Sequence, residues 1–106
     1  MGLQMTPRDS VVTVGATSVE VSPENGSKQR SVLVFTNNST AGQKITLAWG
    51  KDAVMGQGIV LLPGEHHVES IDKGFIPLNV RITAIADAAG GSLAVHERLI
   101  EMNTVF

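Results

Sequence analysis

The residues able to do acid–base or metal chemistry crowd into one stretch, Glu65-His66-His67-Val68-Glu69-Ser70-Ile71-Asp72. Imidazoles and carboxylates this close together are the raw material of a metal site or a proton relay. The spacing argues against both. Adjacent side chains of a strand point to opposite faces, so His66 and His67 cannot close on one ion. No spaced ligand motif surrounds them, and the stretch reads as a solvated strand edge after a turn. His96, between Val95 and Glu97, reads as a surface or interface histidine. Glu24, Glu65, Glu69, Asp72 and Glu97 are the carboxylates available for acid–base work, but no pair is marked out by its setting. The chain has no cysteine, which removes disulfides, thiolate metal sites and thiol nucleophiles. There is no nucleophile elbow and no phosphate-cradling glycine loop. These residues describe a protein that is not an enzyme and uses no metal or cofactor.

Binding chemistry is thin as well. One Trp, three Phe and no Tyr leave little for an aromatic platform of the kind on which sugars stack. Trp49 falls on the apolar face of an alternating segment, which assigns it to the core. A formal net charge of -2 with scattered Lys and Arg excludes electrostatic capture of nucleic acid. No apolar run is long enough to span a membrane, and the N-terminus lacks the charged and apolar regions of a signal peptide. Met1-Gly2-Leu3-Gln4-Met5-Thr6 fits a short myristoylation pattern, but no basic cluster follows to supply a second anchor. Asn25-Gly26-Ser27, Asn37-Asn38-Ser39 and Asn38-Ser39-Thr40 fit the glycosylation pattern and read as turn residues.

The elements that would position these residues are strands. With 106 residues the chain suits one domain. Short segments rich in β-branched residues recur between turn signals: Val11–Val14, Thr17–Val21, Arg30–Thr36, Lys44–Trp49, Ile59–Leu62, His66–Ile71, Val80–Ala86 and Ser92–Ile100. This predicts an all-β protein, a β-sandwich or jelly-roll-like barrel of about eight short antiparallel strands. The domain is expected over 11–102, with 1–10 as an extended arm and 103–106 as a tail. Arg30–Gly50 reads as a β-hairpin around Asn37–Gly42, and Val80–Ala86 pairs with Ser92–Ile100 as a second. Ile45, Leu47 and Trp49 are expected inward, with Lys44, Thr46 and Ala48 toward solvent.

Two segments are apolar at every position, Val32–Phe35 and Ile59–Leu62. Such a run needs cover on both faces. With only 17% charged residues, the chain reads as a subunit that buries part of its surface in a symmetric assembly. Val32, Val34 and Val60 are the interface candidates from these runs. Phe75 joins them from an apolar patch in a connection, Pro7 and Arg8 from the N-terminal arm, and Val105 and Phe106 from the C-terminus.

The order of features resembles the small all-β virion proteins of tailed bacteriophages. In that group a strand is followed by Pro-x-Asn, an Arg, an apolar strand, an Asn-rich turn and, later, an apolar residue before Pro-Gly-Glu. The matching residues are Pro23, Asn25, Arg30, Val32, Val34, Asn37, Asn38, Leu62, Pro63, Gly64 and Glu65, within a similarity that covers roughly 11–95. The resemblance implies a virion structural protein, foremost a capsid decoration (cement) protein. It would be made in the host cytoplasm, sit on the capsid surface as a homotrimer at local threefold positions, and bridge subunits of the phage major capsid protein. It transfers no catalytic residue. The alternatives are a tail or neck component, or a β-sandwich module that recognises a glycan or a host receptor.

Overall fold

The computed structural model describes residues 2–24, 28–74 and 77–103. Eight strands follow one another: β1 (Gly2–Val14), β2 (Val19–Ser22), β3 (Lys28–Asn37), β4 (Ile45–Trp49), β5 (Ile59–Leu61), β6 (His66–Ser70), β7 (Ile82–Ala86) and β8 (Gly91–Asn103). A 3-10 turn, Ile71–Lys73, sits in the β6–β7 connection. The strands form two four-stranded sheets, β1-β8-β3-β6 and β2-β7-β4-β5, and every pairing is antiparallel. The pairs β1·β8, β2·β7, β3·β6 and β4·β5 nest inside one another. The chain is thus one long antiparallel ribbon, doubled back between β4 and β5 and rolled so that successive pairs fall in alternate sheets. That is the winding of a jelly roll.

The all-β expectation stands, but two hairpins do not. β3 and β4 lie in different sheets, and so do β7 and β8. Alternation reports which face of a strand is buried, not which strand it pairs with. The turn-forming residues after β3 carry the chain across the end of the sandwich. Asn37 fixes that crossing. It is fully buried, and its side-chain amide donates to the carbonyls of Gln43 and Leu61, both at 2.8 Å.

The boundary expected after Ser10 is also absent. β1 runs through it as one strand, paired with β8 from Gly2↔Asn103 to Val14↔Gly91. The outer part of this strand lacks a hydrophobic alternation because one neighbour, β8, supplies its order through backbone hydrogen bonds. Asn103, placed in the tail by its sequence, belongs to β8.

The core lies between the sheets. Leu33, Phe35, Leu93 and Val95 come from one, and Ile45, Leu47, Ile82 and Ala84 from the other, all at most 3% exposed. The expected exposure of the middle strands is reversed. The run Val32–Phe35 of β3, apolar at every position, alternates in burial together with its neighbour Thr36: Leu33 and Phe35 are buried while Val32, Val34 and Thr36 are half-exposed. β4, which reads as half-solvated, is buried on both faces, with Thr46 at 0% and Ala48 at 2% exposure. The cover is the chain's own loop. Lys51–Gly58 folds back over the outer face of the second sheet: Thr46 Oγ1 accepts from the Gly56 N–H at 3.2 Å, and Thr83 Oγ1 donates to the Lys51 carbonyl at 2.6 Å. Ala53 is buried there, and its N–H donates to Ser18 Oγ at 2.9 Å. Gly58 makes the close approach possible. Its φ is +134°, and a Cβ would lie 2.3 Å from the Leu47 carbonyl oxygen.

Candidate interaction surface

The first sheet, β1-β8-β3-β6, keeps its outer face open. Register places side chains there in rows. Val11, Ala94, Thr36 and His66 form one row. Asp9, His96, Val34 and Val68 form the next, and Pro7, Arg98, Val32 and Ser70 the third. Val11 is 70% exposed, and Val32, Val34, Val68, Thr36 and Ala94 are half-buried. A shallow hollow of about 330 Å³ lies over Val11, Val34, Thr36, Ala94 and His96. Apolar side chains of β3, β6, Val11 and Ala94 lie beside polar groups, His96 and Arg98 on the inner strand β8 and Asp9 on β1, a mixed surface of the kind that protein interfaces use.

The polar groups are ordered by one another. Arg98 Nε donates to His96 Nε2 at 3.2 Å, and His96 Nδ1 lies 2.6 Å from Asp9 Oδ1. An accepting Nε2 puts the ring proton on Nδ1, so the imidazole donates to Asp9. The chain Arg98–His96–Asp9 is a fixed polar strip across β8 and β1.

Beneath this face, at one end of the sandwich, lies a buried charge cluster. Arg30 is 0% exposed and Glu97 2%. Glu97 accepts from Arg30 Nε at 2.7 Å, from Ser22 Oγ at 2.9 Å and from Arg8 Nη2 at 3.0 Å. Arg30 uses its remaining N–H groups on the carbonyls of Leu78, Val80 and Pro23 and on Ser22 Oγ. A guanidinium has five N–H donors, and each here has an acceptor. Burial pushes the Glu97 carboxyl up, but the hydrogen bonds from Arg30, Ser22 and Arg8 and the Arg30 charge outweigh it. The net effect holds it below its ordinary value.

Two β-bulges build this cluster. In β3 the register against β8 shifts between Arg30 and Val32, and in β2 the register against β7 shifts between Glu20 and Ser22. Simple alternation would send Arg30 outward with Val32 and Val34, and Ser22 outward with Glu20. One extra residue in each strand reverses the side-chain direction. Both polar side chains therefore turn inward, from opposite sheets, onto Glu97. Asn79 secures the β3 bulge: its Oδ1 accepts from the Arg30 N–H at 3.1 Å.

Of the interface candidates, Pro7, Val32 and Val34 lie on the open face of the first sheet. Arg8 does not: its side chain turns inward to Glu97. Val60 is 40% exposed on the other sheet, at the outer face of β5. Phe75, Val105 and Phe106 lie outside the described residues. His66 and His67 face opposite ways, as alternation requires. His67 points to the gap between the sheets, where its Nε2 lies 3.0 Å from Glu69 Oε2 and its ring is 5.8 Å from Trp49. Among the described residues, no three metal-capable side chains converge. Val11 and Val68 were missed as surface partners. Knowing that β1 and β6 are the outer strands of the sheet containing β3 would have found them. Glu97 stood among the isolated carboxylates because its partners come from distant strands.

No protein-family model and no curated protein matches the chain. Among solved structures it is similar to a chain of a Bacillus endospore appendage, described as one of "a novel family of disulfide-linked pili". The two superpose with a TM-score of 0.69 over 96% of this chain and 89% of that one, at 15% sequence identity. At that identity the likeness is one of fold: this chain is a small two-sheet β-sandwich of the same architecture.

Proposed function

We propose that this protein is a non-enzymatic structural subunit, and that it buries the outer face of its β1-β8-β3-β6 sheet in an assembly with copies of itself. One observation carries the reading. The two sheets are treated differently: the loop Lys51–Gly58 covers the outer face of one, and the described residues leave the other bare. The bare face is the one that carries Val11, Val32, Val34 and Val68. An exposed apolar patch with polar groups beside it marks an interaction site. A rigid subface suits assembly, because little order is lost on binding. The fold it shares with a pilus-forming chain is compatible with this role. The chain has no cysteine, so disulfides between copies would not hold such an assembly.

On the finer reading, taken from the resemblance to tailed-phage virion proteins, the assembly is a capsid. The protein would then be a decoration subunit, a trimer that bridges major capsid proteins at local threefold positions. Light scattering of the purified protein with and without expanded capsids tests this. Saturable addition of mass to the capsids, lost in Val34→Lys, supports the decoration role. Self-assembly without any capsid binding directs the reading instead to a filament or tail component. Neither self-assembly nor capsid binding removes the structural reading.

A further inference from the structure

A second surface feature is independent of the open sheet. At the edge of the sandwich, where β4, β5, β6 and the loop Lys51–Gly58 meet, a groove of about 480 Å³ opens to solvent. That is within the size range of small-molecule sites, roughly 300–1,000 Å³. Trp49, Ile59 and Leu78 form its apolar walls, and Lys51, Gln57 and Glu69 supply its polar groups. Leu78 is 58% exposed, a large apolar side chain held at the rim.

Trp49 is only half-buried, although its alternation assigns it to the core. Phe35 and His67 meet it at 83° and 79°, so neither ring lies flat against the indole. Its Nε1 is buried with no hydrogen-bond partner among the described residues. A buried donor in that state is destabilising. Lys51 and Gln57 are exposed, and neither side chain has a hydrogen-bond or ion-pair partner among the described residues. Glu69 gives one oxygen to His67 and keeps the other free.

The charges in the groove balance, one ammonium against one carboxylate, so no net field selects an anion or a cation. The amide adds both a donor and an acceptor. An indole and two aliphatic side chains complete a wall that suits the C–H face of a ring. A ligand that matches this set is uncharged, carries many hydroxyls and has an apolar face. We propose that this groove binds a neutral carbohydrate, a hexose unit or a short chain of them, with the ring against Trp49 and Leu78 and the hydroxyls on Lys51, Gln57 and Glu69.

Trp49 is the only tryptophan in the chain, so its emission reports this groove alone. The probes are glucose, galactose, N-acetylglucosamine, maltose, cellobiose and lactose, each titrated into the purified protein. Glycine and inorganic phosphate serve as charged comparators. The expected result is a saturable change in Trp49 emission with at least one sugar and with neither comparator. In the double variant Lys51→Ala/Gln57→Ala, both side chains being exposed, circular dichroism should be unchanged. The sugar's Kd should rise at least about tenfold, the effect of two lost hydrogen bonds of ordinary net strength. No response to any of the sugars overturns the proposal. So does a response that the double variant leaves intact, or one that a charged comparator reproduces.

Discussion

Replacing Glu97 by Gln removes one charge from the buried cluster and keeps the side chain's shape. Arg30, fully buried, then loses its counter-ion, while its hydrogen bonds to Ser22 and to the carbonyls of Pro23, Leu78 and Val80 remain. Hydrogen bonds to charged groups are worth about 1.5–3 kcal/mol each, and Glu97 accepts two from arginines. Breaking a buried ion pair from one side is destabilising by about 3–5 kcal/mol, which agrees with that figure. Native domains are stable by about 5–15 kcal/mol in all, so this loss is a large fraction. At roughly 4–8 °C per kcal/mol for a domain near this size, Tm should fall by on the order of 15–30 °C. Denaturant unfolding at fixed protein concentration measures it, because association also shifts apparent stability. A loss below about 1 kcal/mol would refute the reasoning, since the pair would then behave as an exposed one. The same cluster sets an acid limit. Glu97 titrates lower in the folded protein than in the unfolded chain. Its contribution is therefore full above the ordinary glutamate pKa, about 4.3, and is lost as the pH falls through the lower folded value. Wild type should lose stability over that window, and Glu97→Gln should lose less of it.

Arg30→Met combined with Glu97→Leu should be less destabilising than the two single changes added together, because the double variant leaves no fully buried charge unpaired, Arg8 being part-exposed; a thermodynamic cycle reads the coupling. Gly58→Ala should destabilise by about 1–3 kcal/mol in denaturant melts, since φ +134° and the Leu47 carbonyl both oppose a Cβ. Leu61→Lys, which buries a charge in the core, should prevent folding as judged by circular dichroism. Treatment with a chelator should leave Tm unchanged, because no three metal-capable side chains converge among the described residues.

The strand content was legible in the sequence, and the sheets were not. β-branched runs between turn signals located every strand, yet Arg30–Gly50 looked like a hairpin because nothing local says that β3 and β4 part at Asn37. Topology is decided by which faces meet across the core, a property of the whole chain. Thr46 and Ala48 show the same limit. Their pattern is that of a solvent-facing row, and only the distant contacts of Gly56, Ala53 and Lys51 bury them. β1 shows a third case: paired along its length by β8, it needs no hydrophobic period of its own. The bulges were the least legible feature, because a one-residue register shift has no sequence signature at Ser31 or Val21, and it alone turns Arg30 and Ser22 inward. Pro7, Val32 and Val34, which fall on the open face, were offered from an apolar excess on β3 and from the composition of the N-terminal segment.

Sedimentation velocity tests the central claim most directly, with wild type and Val34→Lys compared from micromolar to millimolar concentration. Val34 faces outward from the sheet, so the variant should keep its fold and its far-ultraviolet circular dichroism. The account predicts that wild type sediments as species larger than the 11.2 kDa monomer and grows with concentration, while Val34→Lys remains monomeric. Wild type that stays a well-folded monomer over the whole range would contradict it, as would a Val34→Lys variant that associates as wild type does.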